Sequence, residues 1–122
     1  MPIVTVEVVT GAGEAVAANI VQPLADAIGR TLKSPPGQTW VRVRSVPRDH
    51  YAENEVPVDA GQLPVFVTIV KSQIPEGAKL ESEVIALTHG IAQAIGRPAA
   101  CVHIEYAPAG AGRLAFGGAF IR

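Results

Sequence analysis

PIVTVEVV (residues 2–9) and LPVFVTIV (residues 63–70) decide the fold of this chain, because the second restates the first half a chain later. Both are rich in β-branched residues and partly alternating, as strands are. Each has a proline at or near its head, where the missing backbone N–H costs no ladder hydrogen bond. Behind the first strand, TGAGE (10–14) is a turn. Ala17, Val21, Leu24, Ile28 and Leu32 then recur at spacings of three and four, the stripe of an amphipathic helix. Pro23 inside that stripe predicts a kink or a late helix start. SPPG (34–37) stops the pattern, and TWVRVRSV (39–46) reads as a strand. Behind the second strand the plan repeats. SQIPEG (72–77) is a turn, Leu80, Val84, Leu87, Ile91 and Ile95 form a stripe, GRP (96–98) ends it, and ACVHIEY (100–106) is a strand.

The two series superimpose at an offset of 62 residues for the prolines, 63 for the helical stripes and 61 for the second strands. Agreement to within one residue makes this a duplicated βαβ unit. A helix between two strands demands a crossover, so the strands of each half are parallel. The expected architecture is α+β, one domain of 122 residues. Two βαβ repeats, about 2–46 and 63–106, form a four-stranded mixed sheet with both helices on one face, and a hairpin follows at 107–122. VFVTIV is apolar on both of its sides, so the second face of the sheet also needs burial, which neighbouring copies would supply.

Composition narrows the function. Hydrophobic residues make up 48% of the chain and charged ones 17%, a charge sparse enough to leave apolar area for burial against other copies. A net charge of −1 lacks the basic stripe that a nucleic-acid partner calls for. There is no apolar run of membrane-spanning length and no basic start followed by an apolar segment. Cys101 is the sole cysteine, which excludes an internal disulfide. These features together point to a cytoplasmic protein with no membrane partner. Cys101 lies in an apolar strand-like stretch, where a buried, inert thiol is expected. His50, His89 and His103 lack metal-ligand spacing with one another or with Cys101. TGAGEAV has Val16 where a dinucleotide fingerprint needs its third glycine. Neither a metal nor a nucleotide cofactor is expected.

The head of the chain raises a different chemistry. If Met1 is removed, Pro2 becomes the terminus and carries a secondary amine, a base or nucleophile that no ordinary side chain supplies. Met1-Pro2-Ile3-Val4, the arginine of WVRV (40–43), the terminal RLAFGG (113–118) and the duplicated unit together resemble the tautomerase superfamily. Its members include 4-oxalocrotonate tautomerase, macrophage migration inhibitory factor and the malonate semialdehyde decarboxylases. The resemblance implies a homotrimer of fused units, a catalytic amino-terminal proline in a pocket near a subunit boundary, arginines that hold substrate carboxylates, and no metal or organic cofactor.

On that resemblance, Pro2 is the base in keto–enol proton transfer on a small carboxylated substrate. An α-amino group titrates at roughly 7.7–8.0. Burial or nearby cations lower that value, toward the range where general bases work at neutral pH. Arg42 aligns with a substrate-binding arginine of the single-unit enzymes, and Arg44, two positions on, projects to the same face. A guanidinium holds a carboxylate through two parallel bonds, orienting as well as attracting it. Both arginines equally suit surface or intersubunit ion pairs. His103 occupies the second-half position of Arg42, and the nitrogen of Pro64 is an internal amide, so one working site per chain is expected.

Departures from the family pattern add further expectations. An arginine that several relatives carry after the first strand is replaced by Ala12, and by Ile74 in the second half; Lys71 is the candidate substitute. Gln38 stands nearest the acid of the decarboxylase relatives, which disfavours decarboxylation. Leu114 falls where a pocket aromatic is common and Phe116 is near it, so either lines the pocket or packs in the core. In the polar 47–62 connection Tyr51 or His50 either overhangs a pocket or, for Tyr51, anchors the loop, and Tyr106 reads as a pocket hydroxyl or an interface residue. Two alternatives stand beside the isomerase. One is a hydratase- or dehalogenase-type enzyme using protonated Pro2 as acid, for which Glu7 and Glu53 are the available water activators. The other is a non-enzymatic trimeric binding or scaffold protein of the same fold.

Overall fold

The computed structural model describes residues 1–122. Strand β1 (Ile3–Thr10) lies at the centre of a four-stranded sheet. It pairs in parallel with β2 (Trp40–Pro47) and antiparallel with β3 (Val65–Val70), which pairs in parallel with β4 (Val102–Tyr106). The order is β2-β1-β3-β4, so the mixed sheet has one antiparallel junction where the two halves meet. Helix α1 (Val21–Thr31) connects β1 to β2, and α2 (Gly77–Ile95) connects β3 to β4. A separate hairpin, β5 (Leu114–Phe116) and β6 (Ala119–Ile121), closes the chain.

Strand alternation sorts the side chains. Val4, Val6 and Val8 of β1, with Val65, Val67 and Ile69 of β3, face the helices and are buried. The two apolar stripes meet them: Leu24 and Ile28 from α1, Leu87 and Ile91 from α2, all essentially inaccessible to water. Burying one such side chain stabilises the fold by roughly 1.5–3 kcal/mol. No helix is long and apolar enough to cross a membrane.

Two readings of the sequence need correction, and a third, the late helix start at Pro23, is met. Ala17 is exposed and precedes a short 3-10 turn (Ala18–Ile20), so it contributes nothing to the face of α1. Pro23 therefore sits in the first turn of a late-starting helix, where its missing N–H would have had no partner. The second face of the sheet is not simply apolar. Its registered rows run Trp40–Ile3–Val70, then Arg42–Thr5–Thr68–Glu105, then Arg44–Glu7–Phe66–His103. Only the β3 contribution carries two large apolar side chains there, and the outer strands supply charge.

The topology gathers distant segments at one end of the sheet. The starts of β1 and β2, the end of β3, the C-terminus of α1 and the N-terminus of α2 all meet there. Pro2 is at that end.

Candidate active site

Pro2 is buried immediately ahead of β1, and its carbonyl accepts the Trp40 N–H at 3.1 Å. Beside this link, on the face away from the helices, Ile3, Trp40, Val41, Arg42 and Phe116 line a cavity of about 310 Å³. Phe116 reaches it from the terminal hairpin and stacks on Trp40, with ring centroids 4.5 Å apart and 25° between planes. Arg42 donates from Nη2 to Thr5 Oγ1 at 3.4 Å, a long bond that leaves most of the guanidinium available. The structure thus brings two of the sequence candidates, Arg42 and Phe116, to the residue that follows Pro2.

The other candidates lie elsewhere. Arg44 shares the face of Arg42 but stands opposite Glu7, outside this cavity. Leu114 packs over Gly110, where an added Cβ would collide with its Cδ1 and meet the Lys71 carbonyl at 3.4 Å. Leu114 is therefore a packing residue of the loop before the hairpin. Lys71 follows β3 and turns to the helix side, where its Nζ is 2.9 Å from Glu83 Oε1 of α2. The Tyr106 hydroxyl donates to the other oxygen of Glu83. Register places Lys71 next to Pro2 across the antiparallel junction, one step beyond the Ile3–Val70 pair. Lys71 and Arg42 consequently flank the Pro2 end from opposite faces of the sheet.

Sequence reasoning missed two cations at the Pro2 end of the sheet and a third at the opposite end. Lys33 and Lys79 line a cavity of about 660 Å³ between the C-terminus of α1 and the N-terminus of α2, together with Leu32, Ser82 and Glu83. Lys33 ends α1 in the left-handed region (φ 55°), the role that Gly96 (φ 77°) plays for α2. A lysine tolerated where glycine is favoured was the available signal. The third is Arg97, read only as part of the GRP stop. Its Nη1 donates to the Leu63 carbonyl at 2.8 Å and its Nη2 to the Val9 carbonyl at 2.9 Å. Arg97 thereby clamps the backbone around buried Pro64, the repeat-mate of Pro2. At the helical offset its own counterpart in the first half is Ser34, too short to make the same clamp. The two ends of the sheet have diverged: one is filled by an arginine, the other is left open.

The loop between halves does not overhang Pro2. The Tyr51 hydroxyl donates to Glu53 Oε2 at 2.5 Å and the ring lies 5.9 Å from Phe66, at the far end of the open face. Tyr51 is pushed up to about 12 by desolvation first, then by its hydrogen bond to Glu53 and that group's charge. Tyr106 is raised further, by burial and then by the Glu83 bond and charge. Spectrophotometric titration is accordingly expected to show neither of the two tyrosines ionising near the ordinary value of 10. Both raised groups hold their protons more tightly in the folded state. Their contribution to stability is complete below pH 10 and declines as pH rises past it. A tyrosinate transition centred near 10 in folded protein would contradict both hydrogen bonds. Cys101 is buried, as expected, with its thiol 3.5 Å from Gln62 Oε1, and His89 is exposed.

A four-stranded mixed sheet built from two parallel βαβ units and backed by two helices is a fold this chain shares with solved 4-OT and macrophage migration inhibitory factor structures. Solved structures bear this out across nearly the whole chain. A fused 4-OT, solved as a wild-type symmetric trimer, matches at a TM-score of 0.71 and 12% identity, over 98% of this chain and 94% of that one. A macrophage migration inhibitory factor homologue from Prochlorococcus marinus matches at 0.71 and 15% identity, over 98% and 99%. The macrophage migration inhibitory factor of Trichinella spiralis matches at 0.69 and 12% identity, over 98% of this chain and 99% of that one. No family model and no curated protein matches the sequence.

Proposed function

We propose that this chain, once Met1 is removed, is a cofactor-independent tautomerase-type isomerase that moves a proton between carbon and oxygen on a small carboxylated keto or enol compound. It works as a homotrimer. The observation that carries this reading is a buried proline whose carbonyl hydrogen-bonds the first residue of β2, beside a cavity holding one largely unengaged arginine. Removal of Met1, which is exposed, converts the Pro2 nitrogen from an amide into a secondary amine. Burial disfavours the charged form of that amine and leaves it a neutral base. It abstracts a proton α to the substrate carbonyl, the electron pair moves onto oxygen as an enolate, and the proton returns at another position. Arg42 holds the carboxylate on the open side. On the helix side, Lys71 is already neutralised by Glu83, whereas Lys33 and Lys79 have no partner within the chain and favour negative charge at that mouth.

Intact-mass measurement followed by an enol-ketonisation assay with phenylpyruvate-type substrates tests the reading. Loss of the methionine with turnover supports it; a retained methionine and no turnover would favour the binding protein of the same fold. Trp40, the sole tryptophan, gives an independent readout because it forms one wall of the cavity. A small aromatic keto acid is expected to change its fluorescence saturably, and Arg42→Ala is expected to weaken that binding about tenfold or more. An unchanged affinity in Arg42→Ala would remove the arginine from the site.

A further inference from the structure

A cavity of about 330 Å³ lies along α1 and shares no residue with the candidate active site. One wall is the helix, with Asp26, Gly29 and Arg30, and the other is the segment 34–39 that leads into β2. Asp26 and Arg30 are one helical turn apart, acid before base, the spacing at which such side chains pair. They do not pair here, since the one ion pair of the chain is Lys71–Glu83. Asp26 Oδ1 accepts from Gln22 Nε2 at 2.8 Å instead, and Arg30 has no ionic partner. Ser34 and Thr39 also line the cavity, and their hydroxyl oxygens are shielded from water yet make no hydrogen bond. Only three buried side-chain polar atoms of the chain are left in that state, so two of them border this one cavity. Gly29 adds an independent sign. Glycine inside a helix is unfavourable relative to alanine, and packing does not demand it here. An added Cβ would meet only Thr39, 3.7 Å from its Oγ1, an ordinary contact. What the glycine preserves is space in front of that hydroxyl.

We propose that this cavity binds a small zwitterion, a free α-amino acid, with its ammonium at Asp26 and its carboxylate at Arg30. Opposite charges held apart on one wall match a ligand that carries both signs and no net charge. A simple anion would also meet Asp26, and a simple cation would also meet Arg30. Arg30 stands in the last turn of α1, where it offsets the negative helix end that would otherwise repel a carboxylate. Each hydroxyl reaches the cavity by rotation about one χ1 bond. There it donates to the carboxylate, so binding supplies the partner that both groups lack. Bonds of this kind, with one member ionised, are the strong ones. The volume lies near the lower end of the range for ligand pockets, which selects amino acids with small side chains.

Amide NMR spectra of the full-length chain, titrated with glycine, L-alanine and L-serine, test the proposal. At least one of these is expected to shift the Gly29, Ser34 and Gly37 amide signals and to saturate below about 10 mM. The matching amino-acid amide, which lacks the carboxylate, and the matching 2-hydroxy acid, which lacks the ammonium, should each bind about tenfold more weakly or worse. Asp26→Asn and Arg30→Gln should each weaken binding of the amino acid by a similar factor, about tenfold. Gly29→Ala separates a ligand site from a feature of the fold. It should unfold at the same or a higher temperature, because alanine favours the helix, yet bind about tenfold more weakly. Arg42→Ala, altered in the candidate active site, should bind the amino acid unchanged. Loss of binding in that variant would place the amino acid in the candidate active site and overturn the proposal. No shift from any of the amino acids, or equal shifts from inorganic phosphate, would overturn it as well.

Discussion

In mature protein lacking Met1, Pro2→Ala is expected to lower kcat/KM for enol ketonisation by about 10²-fold or more, with the fold and the Trp40 binding signal unchanged. Proton transfer by a positioned base contributes about 10²–10⁴-fold, equivalent to roughly 2.7–5.5 kcal/mol of barrier. Alanine keeps an amine at the terminus, so the loss measures what the ring supplies. The ring fixes φ near −65°, and in Pro2 the carbonyl is tied to Trp40 N–H, so the nitrogen has one direction. An alanine amine turns about a bond the ring had locked. Protein that retains Met1 is the stricter comparison, because there the same nitrogen is an amide and has no basicity; its activity should fall by the full 10⁴-fold or so. The fold is expected to survive both changes, since Pro2 lies outside the β1 ladder. Activity within tenfold of wild type in Pro2→Ala would mean that another group takes the proton.

The architecture was legible because the chain states it twice. Val21, Leu24, Ile28 and their partners at Val84, Leu87 and Ile91 fixed two helices, and the prolines fixed the register of the repeat. Strand alternation also foretold that Arg42 and Arg44 share a face, because side-chain direction in a strand follows from parity alone. What the sequence hid was everything set by the third dimension. Lys71 follows a strand that alternates cleanly, yet its usefulness depends on Glu83, twelve residues away on a helix that packs over it. Arg97 looked like punctuation after a helix because its acceptors, Leu63 and Val9, are backbone carbonyls without a sequence signature. Leu114 and Phe116 were indistinguishable in a hairpin until the packing put one on Gly110 and the other on Trp40. Duplication predicts matching frames, and divergence within the frame is where the two ends of the sheet acquire different chemistry.

Glu83→Ala is expected to give the largest loss of stability of any single polar substitution at the Pro2 end, about 2–4 kcal/mol at neutral pH. Glu83 accepts the Tyr106 hydroxyl on one oxygen and meets the Lys71 ammonium on the other. A partly buried hydroxyl left without a partner costs about 1–3 kcal/mol. Losing one member of a buried ion pair costs about 3–5 kcal/mol, but the Lys71 and Glu83 side chains keep 18% and 14% of their accessibility, so water recovers part of that. Against a typical total of about 5–15 kcal/mol the loss is large enough to measure by urea unfolding. Tyr106→Phe removes donor and desolvation cost together and should cost only about 1 kcal/mol. The double variant should then cost less than the sum of the two, with a coupling of about 0.5–3 kcal/mol. The pH dependence separates the hydroxyl from the ion pair. Tyr106 is raised in the folded state, so its contribution is intact below pH 10 and fades above it, and the gap between wild type and Glu83→Ala should narrow there. A gap below about 0.5 kcal/mol at pH 7, the size of an ordinary surface change, or one that stays level to pH 11, would show that Glu83 does not hold the two groups together.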